Sequence, residues 1–75
     1  MENIRQQLAR TVRRLRTRNG WSQEVLGEQA ELSAKFIWQI EKGVANPSIE
    51  TLVQIANCFG LSIGLFFQQP EWKPK

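Results

Sequence analysis

Histidine, aspartate and tyrosine are missing from this chain, and cysteine occurs once. Without His or Asp, the commonest general base, the carboxylate that usually orients it and most metal-ligand sets are gone. Glu, Lys, Ser and Cys58 remain, with no glycine-rich phosphate loop, so no enzymatic activity, cofactor or metal is expected. A single cysteine closes no internal disulfide, and no oxidising compartment is required. Cys58 stands among Ala56, Asn57 and Phe59, with no cation nearby to activate it, and reads as a small buried apolar residue. Long apolar runs are also lacking. The longest, Leu61 to Phe67, is broken by Ser62 and Gly64 and falls far short of the ~20 residues a membrane span needs. The charged start of the chain has no signal-peptide pattern. These absences predict a cytoplasmic protein that does not enter a membrane.

What is present is a chain of 75 residues, enough for one small domain that buries roughly 60% of its unfolded surface. Its net charge is only +3, but the charge is polarised. Residues 1–20 carry Arg5, Arg10, Arg13, Arg14, Arg16 and Arg18 against Glu2 alone, while the rest holds more Glu than Lys. A basic first helix beside a nearly neutral body suggests an anionic partner at one edge. A merely solvated helix face is the other reading.

Helix punctuation repeats along the chain. Ser22, Ser33, Ser48 and Ser62 each follow an apolar residue and precede another four positions on: Trp21 and Leu26, Leu32 and Ile37, Pro47 and Leu52, Leu61 and Phe66. Each is a serine N-cap with a candidate hydrophobic staple. No serine is followed three residues later by Glu or Gln, so no capping box is expected. Gly20, Gly43 and Gly60 are the matching stops.

Five helices result, and the fold class is all-α. The first runs from Ile4 to about Asn19, with Ile4, Leu8, Val12 and Leu15 as its apolar stripe. The second spans Gln23 to about Ala30, with Leu26 and Ala30 on one face and Gly27 between them. An interior glycine costs about 1 kcal/mol relative to Ala, so close approach of another backbone is expected there. The third runs from Ala34 to Lys42. Ile37 and Ile40 point inward, which leaves Ala34, Lys35, Trp38 and Gln39 on the other side. The fourth spans Ile49 to Phe59, with Ile49, Leu52, Val53, Ala56 and Phe59 as its apolar face, and a short fifth covers roughly Ile63 to Phe67. Residues 68–75 (QQPEWKPK) read as a loose tail after a domain of residues 1–67. Two short helices joined by a tight turn, over about residues 22–42, form a helix-turn-helix, a unit that places its second helix in the major groove of DNA.

At Gln23, Leu26, Ala30, Leu32, Ser33, Ile37, Ile40, Glu41, Gly43, Asn46, Pro47, Leu52, Ala56 and the Gly60–Phe66 stretch, the chain resembles lambda-repressor-like helix-turn-helix domains of the Xre/Cro type. The resemblance covers about residues 4–67. It implies a bacterial or phage transcriptional regulator that binds a two-fold operator as a homodimer, acting on double-stranded DNA. A domain this short is also similar to restriction–modification controller proteins and small antitoxins. By the same resemblance the third helix is the recognition helix, with Ala34, Lys35, Trp38 and Gln39 facing bases. Gln39 suits adenine N6/N7, Lys35 guanine O6/N7, and Ala34 a thymine methyl. Arg16, Ser22, Gln23, Ser33, Phe36, Lys42 and Asn46 form the phosphate-contacting set, with Arg10 and Arg13 as weaker candidates. Gln23 also stands at a helix N-terminus, where free N–H groups favour an anion. The resemblance further implies an Arg16–Glu41 ion pair between the first and third helices.

Three features leave alternatives open. Trp38 stands where the family usually has a small or polar residue, and it contacts DNA, packs against Phe36 or anchors a partner protein. Glu31 occupies a turn position that is commonly Gly in the family, so it either stores strain or the turn has another shape. Gly27, where the family favours Ala, is a milder departure. Val53, Leu61, Ile63, Leu65 and Phe67, with Trp72, offer an apolar dimer seam; the bland reading is that they are monomer core. The main alternative function is a protein-interaction module on the same fold, an antitoxin half or adaptor with weak DNA binding. No room is left for a separate ligand domain, so no small-molecule effector is expected.

Overall fold

Serine caps and left-handed stops divide the chain as its pattern suggests. The computed structural model describes residues 3–73. In order, α1 (Ile4–Arg18), α2 (Gln23–Ala30), α3 (Ala34–Lys42), α4 (Ile49–Cys58) and α5 (Ile63–Phe66) are followed by a 3-10 turn, Pro70–Trp72, with no strand among the described residues. The Oγ atoms of Ser22, Ser33, Ser48 and Ser62 accept from the N–H groups of Val25, Phe36, Thr51 and Leu65. Each cap supplies an orphan first-turn donor with a partner, worth about 1 kcal/mol. A capping box does occur, contrary to expectation, at Asn3. Its side chain accepts from Gln6 N, and the Gln6 side chain accepts from Asn3 N. Serines alone do not reveal it, because Asn caps as well as Ser.

The ends of α1, α2, α3 and α4 share one geometry. Gly20, Gly43 and Gly60 lie at φ 69°, 79° and 71°, and Glu31 at φ 58°. After each, an N–H reaches back a full turn: Trp21 to Arg16 O, Leu32 to Gly27 O, Val44 to Gln39 O and Leu61 to Ala56 O. These are Schellman closures, which want glycine at the left-handed residue. Glu31 is the exception, so the open question at that turn resolves to strain within an ordinary shape. Glu31→Gly is expected to raise folding stability by about 1 kcal/mol. The check is a higher urea midpoint at unchanged slope.

The core gathers Leu8, Val12 and Leu15 of α1, Leu26 and Ala30 of α2, Ile37 and Ile40 of α3, and Leu52, Ile55 and Ala56 of α4 around Phe66. α1 packs on α3, α2 on both α3 and α4, and α4 on α5. Ile4 and Ile49, expected on the inner stripes, are 69% and 65% exposed. Both are the first residue of their helix, one turn beyond the end of the core. Ile55, not expected inside, is fully buried, because the inward arc of α4 centres on Leu52, Ile55 and Ala56. Phe59 lies at its edge, stacked on Trp21 with ring centroids 5.6 Å apart.

The end of the chain also differs from the expected loose tail. The Arg14 Nε donates to Glu71 Oε2 at 2.6 Å, and its Nη2 donates to Glu71 Oε1 at 3.0 Å and to Gln69 Oε1 at 2.9 Å. The Trp72 ring meets Phe67 edge-on at 4.8 Å. Hydrogen bonds from Arg14 hold the Glu71 carboxyl below the usual carboxylate range and lift the Arg14 guanidinium further above its own. Residues 70–72 therefore dock on α1. Pro74 and Lys75 of the expected tail lie outside the described residues.

Candidate nucleic-acid interface

α3 is anchored from within by Ile37 and Ile40, which are 0% and 1% exposed. A helix fixed by that inner face shows a defined outer one. Lys35, Trp38 and Lys42 are exposed, and Ala34 and Gln39 are half-buried at its margins. Trp38 does not pack on Phe36 in an aromatic pair. The residue is 47% exposed, and the Lys42 Nζ sits over its ring at 5.4 Å from the centroid, a cation–π contact one turn along the helix.

The acid on this helix is turned away from that face. Glu41 receives the Arg16 Nε at 2.6 Å on Oε2 and the Arg16 Nη2 at 3.0 Å on Oε1, and Gln23 Nε2 donates to it at 3.3 Å. Arg16 Nη1 also donates to Trp21 O at 2.7 Å. The ion pair suggested by the resemblance is thus present, with side chains 13% and 6% exposed. Hydrogen bonding to Glu41 lifts the Arg16 guanidinium further above its ordinary range. One cluster ties α1, the start of α2 and the end of α3 together.

That cluster changes the phosphate set. Arg16 gives three of its five N–H groups to Glu41 and Trp21, a structural role that leaves it a weaker phosphate candidate. Phe36 drops out for a different reason: its backbone N–H is bonded to Ser33 Oγ, and its ring packs against the core. Ser22, Ser33, Lys42 and Asn46 are exposed, and Gln23 is half-buried at the open end of α2. The two serine hydroxyls accept from the N–H groups of Val25 and Phe36, and each still holds a proton to donate. Arg10 and Arg13 are exposed on α1.

Of the apolar seam residues, Leu65 and Phe67 are 49% and 37% exposed, whereas Leu61 and Ile63 are partly buried against the core with Trp72. Val53 is half-buried. Cys58 lines a shallow cleft of about 420 Å³ with Gln29, Ala30, Glu31, Gln54 and Asn57, and burial pushes its thiol pKa up, as suits a packing residue. The residues that sequence reasoning missed are Arg14, Gln69 and Glu71. Glu71 is the one acid of a basic C-terminal stretch, and that was the available signal for its meeting an arginine of α1. No helix among the described residues is long and apolar enough to cross a membrane.

Two short helices meeting at a tight turn, with the second displaying a cationic face, define a helix-turn-helix domain. A helix-turn-helix domain family model matches residues 7–65, and the chain belongs to that family. It is 32% identical over 71 residues to the HTH-type transcriptional regulator SutR of Escherichia coli (strain K12), covering 95% of this chain and 40% of SutR. This chain therefore spans well under half the length of that relative. Among solved structures it is similar to a mutant of the restriction–modification controller protein C.Esp1396I, with a TM-score of 0.80, 28% identity, and 91% of this chain and 87% of that one covered. It is likewise similar to the hypothetical transcription factor NHTF from Neisseria, with a TM-score of 0.83, 26% identity, and 92% and 79% covered. Over the residues covered, the two solved structures share the all-α architecture described above.

Proposed function

We propose that this chain binds double-stranded DNA sequence-selectively, as a homodimeric transcriptional regulator on a two-fold operator, with α3 in the major groove. The outer face of α3 carries this reading. Lys35, Gln39 and Lys42 present donors there, while Glu41 is withdrawn into the pair with Arg16. Lys35 suits guanine O6/N7, Gln39 is bidentate to adenine, and Ala34 meets a thymine methyl. Ser22, Gln23, Ser33, Lys42 and Asn46 contact phosphates on either side. Leu65 and Phe67 supply the seam of the dimer, which sets the two recognition helices about 34 Å apart.

Anisotropy titrations on a selected duplex test the division of labour. Gln39→Ala is expected to lose about 1–3 kcal/mol of discrimination at its base pair. Lys42→Ala is expected to weaken binding to every duplex and to flatten the salt dependence by about one phosphate. Equal losses on selected and unrelated duplexes for Gln39→Ala would contradict base reading.

A further inference from the structure

Trp38 is a large apolar ring held out on an otherwise polar, cationic surface. The aromatic pairs among the described residues join Trp21 with Phe59 and Phe66 with Phe67 and Trp72, and none includes Trp38. Its partner is the Lys42 ammonium, 5.4 Å from the ring centroid. An i, i+4 contact of this kind favours the indole lying beside Lys42, with the residue still 47% exposed. Lys35 lies three positions earlier on the same helix face, and the one acid of α3, Glu41, is held by Arg16. An apolar ring bracketed by cations fits a polyanion better than a neutral protein patch.

The major groove offers such a ring little apolar surface. Base edges there show donors and acceptors, and the apolar group among them is the methyl at C5 of thymine; 5-methylcytosine carries the same group. We infer that Trp38 reads a pyrimidine 5-methyl group in the major groove, with Lys42 as the residue that positions the ring. This inference rests on α3 entering the groove. It goes beyond it by assigning one base-pair step to a methyl-sensing indole in place of a hydrogen-bonding side chain.

The experiment takes the duplex selected by the chain from a random pool and replaces each thymine in turn with uracil, which removes only the methyl. The unsubstituted protein is expected to bind about four-fold more weakly at one step in each half-site, the factor that burial of one such group is worth. In Trp38→Ala that ratio falls to about one, whereas Trp38→Phe keeps part of it. Circular dichroism confirms that both variants fold, as expected for an exposed position. Lys42→Met narrows the ratio and lowers the salt dependence together, a combination that a merely structural lysine does not produce. Replacing cytosine with 5-methylcytosine identifies the source of the methyl. A gain there at a cytosine-bearing step, lost in Trp38→Ala, means that methylated DNA is read; a loss confined to the uracil duplexes means that thymine is. Uracil duplexes that bind as well as the parent, or that weaken Trp38→Ala equally, overturn the inference and leave the indole as an anchor for another protein. If the unsubstituted chain selects no duplex, the groove reading itself fails and takes this inference with it.

Discussion

Glu41→Ala is expected to remove about 3–5 kcal/mol of folding stability, the cost of leaving one partner of a buried ion pair alone. For a domain of this size the total is only about 4–11 kcal/mol, so the variant stands close to unfolding. Its melting temperature should fall by roughly 20 °C. The cost is high because Glu41 serves several donors at once. Arg16 holds it through two nitrogens and Gln23 adds a third bond, all in a site where Glu41 is 6% exposed. The same alanine leaves the guanidinium of Arg16 with only Trp21 O. Replacing both charges, in Arg16→Met with Glu41→Leu, should cost much less than the sum of the single changes, since no charge is then stranded. Calorimetry of the two single variants and the double gives the coupling directly. A loss below about 1 kcal/mol for Glu41→Ala, the figure for a solvated pair, would show that this cluster does not fix the register of α1 against α3.

Gly27→Ala is expected to reverse the usual sign of a helix-interior substitution. Alanine in place of glycine ordinarily stabilises a helix by about 1 kcal/mol. Here a Cβ on residue 27 would stand 2.6 Å from Leu32 O and 3.3 Å from Ala34 N, both backbone atoms of the turn into α3. Neither atom yields by a rotamer change, so the turn or α2 itself must move. A net loss of about 1–3 kcal/mol follows, in the range for overpacking a tight site. Gly27 and Glu31 thus belong to one local solution. Leu32 N bonds to Gly27 O at 2.8 Å, closing the turn around the left-handed Glu31, and the missing Cβ makes room for it. A urea midpoint that rises in Gly27→Ala would contradict this close approach. Because the same turn sets the angle of α3 against α2, the variant should also bind DNA more weakly than its lost stability explains.

The sequence made the helix-turn-helix legible because its signals there are local. The bounds of α2 and α3 follow from Ser22, Ser33 and Gly43, whose cap and stop chemistry needs only neighbouring residues. The outward set on α3 follows in the same way from the inward spacing of Ile37 and Ile40. What remained hidden depends on contacts between distant segments. The docking of residues 70–72 turns on Arg14 meeting Glu71 across 57 positions, and periodicity carries no trace of that. Ile55 escaped because a short helix shows too few turns to distinguish an arc centred on it from one centred on Val53. Ile4 and Ile49 keep the right period, but the core stops before reaching them. The commitment of Arg16 to Trp21 O, and of the Phe36 N–H to its own cap, belongs to hydrogen-bond bookkeeping that residue types alone do not settle.

The measurement that bears most directly on sequence-selective binding through α3 is selection from a randomised duplex pool, sequenced at two salt concentrations and repeated with Lys35→Ala/Gln39→Ala. The expected result is a two-fold site with half-sites about one helical turn apart. Affinity for it should fall steeply with salt, and the preference should change when the two side chains are removed. Enrichment of no site, or of the same site by the double variant, would contradict the placing of α3 in the groove.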